Sequence, residues 1–450
     1  MFDIIVCDEA VAEQGYVRVI TDVELMTTDF TILFSKENML KAAREVAKKE
    51  SAGIDGISGK DAYELVEAKY TEIYDEIVNG TYKPKEVLLK CIPKVDNLSK
   101  KRYIAISTVM DRMIQKILND ALKDIFDEDM VKNSYGFRKN HNCYMAVKQM
   151  VEYLECGYSV VIKLDLSDCF NHLEQNKVLY KVRQKVADVR ILELINKYLK
   201  VTYVEKDKRI KSFKGSPQGS SLSPLYANLI LGDLDKELVR RNHAFIRYAD
   251  DICIMCKSKK AGMRILSNTT KFIEKKCKLV VNKEKCKIHC VDDGVDFLGF
   301  HIYKSSERIH IIPTQKNLER FKDKVREICI GNIDEKTILK LNPIIKGWIN
   351  YYVETEISTT TKKLDLFIKK ELDKAEKRSN TRIDRTKLYK CHENYRIGGH
   401  SYQKPIKNYM FPAMNGATTK SSTKEDETAA SYRGRSPPAG NNMNNLILLF

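Results

Sequence analysis

Three acids stand where acids are costly. Asp165 ends the run Val160-Val161-Ile162-Lys163-Leu164, and Asp250 and Asp251 fall between Ile246-Arg247-Tyr248-Ala249 and Ile252-Cys253-Ile254. A carboxylate in apolar surroundings needs a partner or a cation, because desolvation disfavours its charge. One at a time, each reads as a turn residue, a common use of Asp. Together, on two strand-like segments, they read differently. If those strands are neighbours the carboxylates converge, repel one another and require a hard cation. Oxygen-only ligands favour magnesium, which keeps waters and takes substrate phosphates as further ligands. That chemistry is two-metal phosphoryl transfer, with Asp165, Asp250 and Asp251 as the metal-binding acids.

Other segments gain meaning beside those acids. Gly215-Ser216-Pro217-Gln218-Gly219-Ser220-Ser221-Leu222-Ser223-Pro224 reads alone as a Gly/Pro loop with a serine N-cap. Gln218, exposed by the turn, offers a donor and an acceptor to a nucleotide or strand. Ile92-Pro93-Lys94 and Arg102 lie in a basic stretch that reads equally as a solvated face or as the fixed cations that hold a triphosphate. Tyr135-Gly136-Phe137-Arg138 suits either stacking with phosphate contact or core packing.

The chain is long enough to position such groups. Its 450 residues can bury a large core and suggest two to four subdomains. Net charge is +17, spread through sequence that is 43% hydrophobic, which points to a polyanion partner and excludes wholesale disorder. No apolar run of membrane-spanning length occurs, and the N-terminus lacks the basic-then-apolar pattern of a signal peptide, so a cytoplasmic protein is expected. Most of the twelve cysteines sit singly in apolar stretches and read as reduced core thiols, Cys253 and Cys256 included.

The periodicity predicts helices over Lys36 to Lys49, from Ser58 to Gly80, from Thr108 past Phe126, over 174–200 and over Leu222 to Arg241. Short strands are expected at Glu86 to Ile92, Tyr158 to Leu166, Ala244 to Tyr248 and Ile252 to Cys256, with extended pieces at Arg209 to Phe213 and Arg308 to Ile312. From Gln315 to about Asn380 the composition is helical and basic, and a second, all-helical domain is expected there. Trp348, Tyr351 and Tyr352 read as its core. Lys340, Lys346, Lys362 and Lys363 read as phosphate contacts.

Read in order, Tyr82-Lys83-Pro84, Ile92-Pro93-Lys94, Asp111-Arg112 with Gln115, Ser134 to Arg138, Lys163-Leu164-Asp165 to Phe170, Ser216-Pro217-Gln218-Gly219, Tyr248-Ala249-Asp250-Asp251 and Phe297-Leu298-Gly299-Phe300 resemble the successive blocks of a reverse transcriptase. The closest resemblance is to the group II intron-encoded reverse transcriptase/maturases. Asn342 to Tyr352, which holds the only tryptophan, is similar to their thumb or maturase segment. The resemblance covers roughly residues 36 to 378.

It implies an α+β fold: a right-hand polymerase, with fingers over 36–157 and palm over 158–313, followed by an all-helical thumb/maturase domain over 314–380. Residues 1–35 are then an N-terminal extension, 381–412 a candidate small basic nucleic-acid-binding segment, and 413–450 a flexible tail. The implied activity is RNA-directed DNA synthesis with two Mg2+ ions and dNTP substrates. The implied partners are a group II intron RNA as template and a DNA primer or target, with roles in splicing and mobility. By position in the motifs, Asp165, Asp250 and Asp251 bind the metal, with the Leu166 carbonyl completing the cage. Phe170 matches the residue that excludes a ribose 2′-hydroxyl, Gln218 a nucleotide-pocket residue, and Lys94 and Arg102 the cations that grip the triphosphate. Lys285 falls where a basic residue faces primer or nucleotide.

The sequence also departs from the family. Arg102-Tyr103-Ile104-Ala105-Ile106-Ser107 replaces the usual Arg-Pro-Leu-Gly-Ile-Pro, and Ser220 stands where glycine is usual. Cys391, His392 and His400 are too few and wrongly spaced for the endonuclease module of some relatives. Two alternatives remain: an RNA-binding splicing cofactor with secondary polymerase activity, and a domesticated, defence-associated reverse transcriptase.

Overall fold

The computed structural model describes residues 30–94, 97–206, 208–331 and 333–398. The chain divides into two compact units, Met1–Asp293 and Gly294–Phe450. The N-terminal extension read from the sequence up to residue 29, the 413–450 tail, and 399–412 of the basic segment lie outside the described residues. Among the described residues no helix is long and apolar enough to cross a membrane.

The first unit opens with helices α1 (Phe30–Leu33), α2 (Lys36–Val46) and α3 (Ala62–Val78), then strands β1 (Val87–Lys94) and β2 (Asn97–Ile106), and helices α4 (Val109–Asp127) and α5 (Cys143–Glu155). Strand β3 (Val160–Leu164), helices α6 (Cys169–His172), α7 (Gln175–Arg183) and α8 (Val189–Leu199), and strands β4 (Thr202–Glu205) and β5 (Lys208–Lys211) follow. Helix α9 (Ser223–Arg240), strands β6 (Ala244–Tyr248) and β7 (Asp251–Cys256), helix α10 (Lys259–Phe272) and strand β8 (Lys287–Cys290) complete it. The region 174–200, expected as one helix, is two, broken where Val186-Ala187-Asp188 turns the chain and Asp188 caps the second helix.

Two sheets result, in the orders β2-β1-β4-β5 and β6-β7-β3-β8. The second is antiparallel throughout. Its β3 and β7 alternate: Val160, Ile162 and Leu164, with Ile252, Ile254 and Cys256, join one hydrophobic core with residues of α9 and α10. Lys163 and Cys253 face the other side, since they stand opposite one another in the register. Asp111 ties α4 into the unit. Its buried carboxylate accepts from Tyr82 Oη at 2.8 Å, Tyr198 Oη at 3.1 Å, Thr108 Oγ1 at 2.6 Å and the Lys85 N–H at 3.1 Å.

The second unit holds a sheet of order β11-β10-β9, built from β9 (Val295–Phe297), β10 (Phe300–Ser305) and β11 (Arg308–Pro313). Helices α11 (Gln315–Ile330), α12 (Glu335–Tyr352), α13 (Ser358–Ser379) and α14 (Cys391–Gly398) follow. Trp348 and Tyr352 are fully buried, their rings 4.7 Å apart, with Phe321 5.4 Å from Trp348. The two tyrosines also pin the Phe297-Leu298-Gly299-Phe300 turn: Tyr351 Oη donates to the Leu298 carbonyl at 2.7 Å and Tyr352 Oη to that of Gly299 at 3.0 Å. Lys340, Lys346, Lys362 and Lys363 are exposed around that core. Trp348→Ala is expected to cost the second unit about 3–5 kcal/mol in urea unfolding, whereas Lys346→Ala leaves the midpoint in place.

Candidate active site

Strand pairing brings the three acids together. Leu164 of β3 stands opposite Ile252 of β7, so the next residues outward are Asp165, directly past the end of β3, and Asp251, the first residue of β7. Asp250 precedes Asp251 in the two-residue turn from β6, where Tyr248 faces Asp251. Burial first, then the charges of Asp250 and Asp165, push the Asp251 carboxyl up to about 6, while Lys163 and Lys285 oppose the shift. Asp250 is raised as well, by burial first and by Asp165, with Arg102 and Arg247 opposing. By area Asp250 is exposed, although protein crowds around it. Its carboxylate therefore reaches solvent. Lys285 Nζ lies 3.6 Å from Asp165.

The backbone beside these acids is arranged in the same sense. The Asp165 carbonyl accepts from Asn282 N at 2.9 Å and Ser167 N donates to the Val280 carbonyl at 2.8 Å, flanking the antiparallel bridge Leu166–Val281. In such a bridge the paired residues' own polar groups point the other way. The Leu166 carbonyl is therefore turned away from Val281.

The remaining expected residues are linked to this centre by loop contacts. Ser216 N donates to the Phe170 carbonyl, Gly215 N to that of Leu173, and Ala105 N to that of Gln218, each at 2.8 Å. Gly215 sits at φ +83°, and a Cβ there would lie 2.7 Å from the Asn171 carbonyl oxygen, so only glycine permits this close seat. The loop thus bridges the Phe170 turn and β2, the strand that carries Arg102. Phe170 and Gln218 are half-buried and Arg102 is exposed. Cys169, beside Phe170, is buried; burial pushes its thiol up to about 12, and the Asp250 charge adds to the push. The Lys94 side chain lies outside the described residues. Tyr135 is buried, and Arg138 is used internally, donating to Asp127, Val131 and Ser134. Of that cluster only Phe137 is exposed.

Residues outside the expected set hold the Asp250 turn in place. Ala249 adopts φ +56°, a strained value for a residue with a Cβ. Its carbonyl accepts from Arg247 Nη1 at 3.0 Å. Arg247 is fully buried; it forks onto Asp235 and reaches Asn228 at 2.7 Å and Ser134 Oγ at 2.7 Å. Asn228 in turn donates to the Gly136 carbonyl at 3.0 Å, and a Cβ on Gly136 would meet Ala249 N at 2.2 Å. The sequence signal for this hub was an arginine inside an apolar strand, Phe245-Ile246-Arg247-Tyr248, and an arginine so placed must be paired. Cys286 also touches the site, accepting weakly from Asp165 N at 3.4 Å.

Carboxylate oxygens with one backbone carbonyl suit a hard divalent cation, and their mutual repulsion is what such a cation relieves. Among the described residues no group of three or more His, Cys, Asp or Glu is drawn into a ready-made metal cage. An open, partial ligand set is the kind magnesium uses with waters and substrate phosphates.

The reverse transcriptase (RNA-dependent DNA polymerase) profile matches residues 92–302, and the group II intron maturase-specific profile matches residues 318–390. The chain joins a reverse transcriptase domain to a group II intron maturase domain. It is 26% identical to Protein YkfC of Escherichia coli over 63% of this chain and 87% of that protein. It is 28% identical to the group II intron-encoded protein LtrA of Lactococcus lactis over 59% of this chain and 43% of that one. A putative COX1/OXI3 intron 2 protein of Saccharomyces cerevisiae is 24% identical over 62% of this chain and 39% of its own length. The match thus spans less than half the length of the last two. The acids, the Gly215–Gly219 loop and β2 all fall inside the reverse transcriptase match, and Trp348 inside the maturase match.

Two outcomes follow for stability. Asp235→Asn breaks a buried ion pair and is expected to cost about 3–5 kcal/mol in chemical denaturation, while Arg209→Gln, at an exposed pair, leaves the midpoint unchanged. Asp251 has a higher pKa folded than unfolded, so its ionisation destabilises the fold as pH rises above about 4, with the full cost above about 6. In EDTA, Asp251→Asn is therefore expected to gain on the order of 2 kcal/mol at pH 7.5 and nothing at pH 4. An equal gain at both would contradict the repulsion.

Proposed function

We propose that this protein is an RNA-directed DNA polymerase that binds its parent group II intron RNA, assists its splicing and copies it into DNA during intron mobility. The observation that carries the reading is that Asp165 directly follows β3 and Asp251 begins the adjacent β7, with Asp250 in the turn from β6 into β7. The reverse transcriptase match over the same residues supports it. In this reading 36–157 form the fingers, 158–313 the palm and 314–380 a thumb/maturase domain in a right-hand polymerase working in the cytoplasm.

Asp165, Asp250 and Asp251, with the Leu166 carbonyl, would hold two Mg2+ ions. When bound, such ions supply Lewis acidity to the attacking hydroxyl and the leaving group. The chain's own residues do the rest. Arg102, already in the field of Asp250, grips the triphosphate of the incoming dNTP, with Lys94 beside it. Gln218, seated on β2 through its carbonyl, contacts the nucleotide. Phe170, fixed by the Gly215–Ser216 loop, closes the space a ribose 2′-hydroxyl would need. Lys285 balances the charge of Asp165 and faces primer or nucleotide. In the reaction the primer 3′-oxygen bonds to the α-phosphorus, the bond to pyrophosphate breaks, and the hydroxyl proton departs to solvent.

The exposed lysines of the helical domain carry intron RNA by its phosphates, and the maturase match over 318–390 supports that role. Such binding falls steeply with salt. Asp250→Ala is expected to lower primer extension on an RNA template about a thousandfold or more while RNA affinity holds; unchanged extension would remove Asp250 from the site. Phe170→Ala is expected to admit ribonucleotides, and continued strict rejection would overturn the gate.

A further inference from the structure

Phe213 is 84% exposed, the most open of the large apolar side chains described. A single exposed apolar residue usually needs no explanation. This one, however, stands on a rigid support. Its neighbour Ser212 is buried. Gln175, itself buried, donates through one amide nitrogen to Ser212 Oγ at 3.2 Å, the Leu199 carbonyl at 2.7 Å and the Gly215 carbonyl at 3.0 Å. Ser212 Oγ donates to the Lys214 carbonyl at 3.2 Å. Two bonded residues thus flank Phe213 and leave its ring in water, forgoing the roughly 2–3 kcal/mol that burial of a Phe side chain supplies.

The sequence on either side of Phe213 is basic. Lys208, Arg209 and Lys211 form the exposed edge strand β5, and Lys214 follows Phe213. Arg209 pairs with Glu86 at 2.7 Å and Lys214 with Glu174 at 3.2 Å. Among the described residues Lys208 and Lys211 make no ion pair. Two residues on from the ring begins the Gly215–Gly219 loop that abuts Phe170. At 3.8 Å per Cα step, Phe213 lies within about 8 Å of that loop's first residue.

An aromatic side chain in water, on an anchored segment with lysines on either side of it in sequence, is complementary to an unpaired base with its phosphates. We propose that Phe213 is a stacking platform for one unpaired base of single-stranded RNA, with Lys211 and Lys214, which flank it in sequence, on the neighbouring phosphates. The proposal rests on the reading of the chain as an RNA-copying enzyme, in which that strand is template on its way to or from the site.

The test is fluorescence anisotropy of the full chain with a labelled single-stranded RNA of mixed sequence, and with a strand of equal length built from abasic tetrahydrofuran units. Phe213→Ala is expected to weaken binding of the RNA about fivefold or more, and Phe213→Trp to restore it. On the abasic strand all three proteins should bind alike. Unaltered RNA affinity in Phe213→Ala, as for a protein-docking face, would overturn the proposal. So would a loss of equal size on the abasic strand, or failure of Trp to rescue. Primer extension by Asp250→Ala is read separately, so failure of the polymerase reading and failure of the platform are told apart.

Discussion

Asp250 and Asp251 are both held above the ordinary carboxylate range, by burial first and by neighbouring acid charge after it, and the elements around them have to hold that costly arrangement. Lys285 stands against Asp165, while Lys163 opposes the rise of Asp251 and Arg102 that of Asp250. These cations offset only part of the cost of burial and of the neighbouring acids, since Asp251 remains displaced to about 6. A site that keeps unrelieved negative charge is poised to take a hard cation and, with it, the phosphates that complete the cation's shell.

Holding such a centre demands rigidity beneath it. The strained Ala249 is kept by Arg247, which is buried and satisfied by Asp235, Asn228, Ser134 and the Ala249 carbonyl. Gly136 lets the neighbouring segment come against the same turn. Strain is stable only when the surroundings over-determine it, and here helix α9, the Ser134 segment and the Ala249 turn itself converge on one guanidinium. The Gly215–Gly219 loop plays the corresponding part for Phe170 and Gln218, fixed at one end by Leu173 and Phe170 and at the other by Ala105.

The acids were legible in the sequence because a carboxylate inside an apolar strand run is rare enough to demand a reason, and two such runs suggested neighbouring strands. The helices α4 and α9 were legible through their apolar periodicity, and the Trp348 core through burial preference. The break at Val186–Asp188 was not, because both halves carry helical spacing. Nor was the hub: nothing local says that Arg247 meets Asp235, twelve residues back and across a turn, until the fold brings them together. Tyr135 and Arg138 carried either meaning in the sequence, and their burial and internal bonds decide for packing.

Iron-directed cleavage probes the central claim most directly. With Fe2+ and ascorbate in place of Mg2+, hydroxyl radicals cut the backbone beside the bound ion. The account predicts paired cuts near 165 and near 250–251, both suppressed by excess Mg2+ and both lost in Asp165→Asn. Cuts at only one of these segments, or cuts that Mg2+ leaves untouched, would contradict a shared cation site.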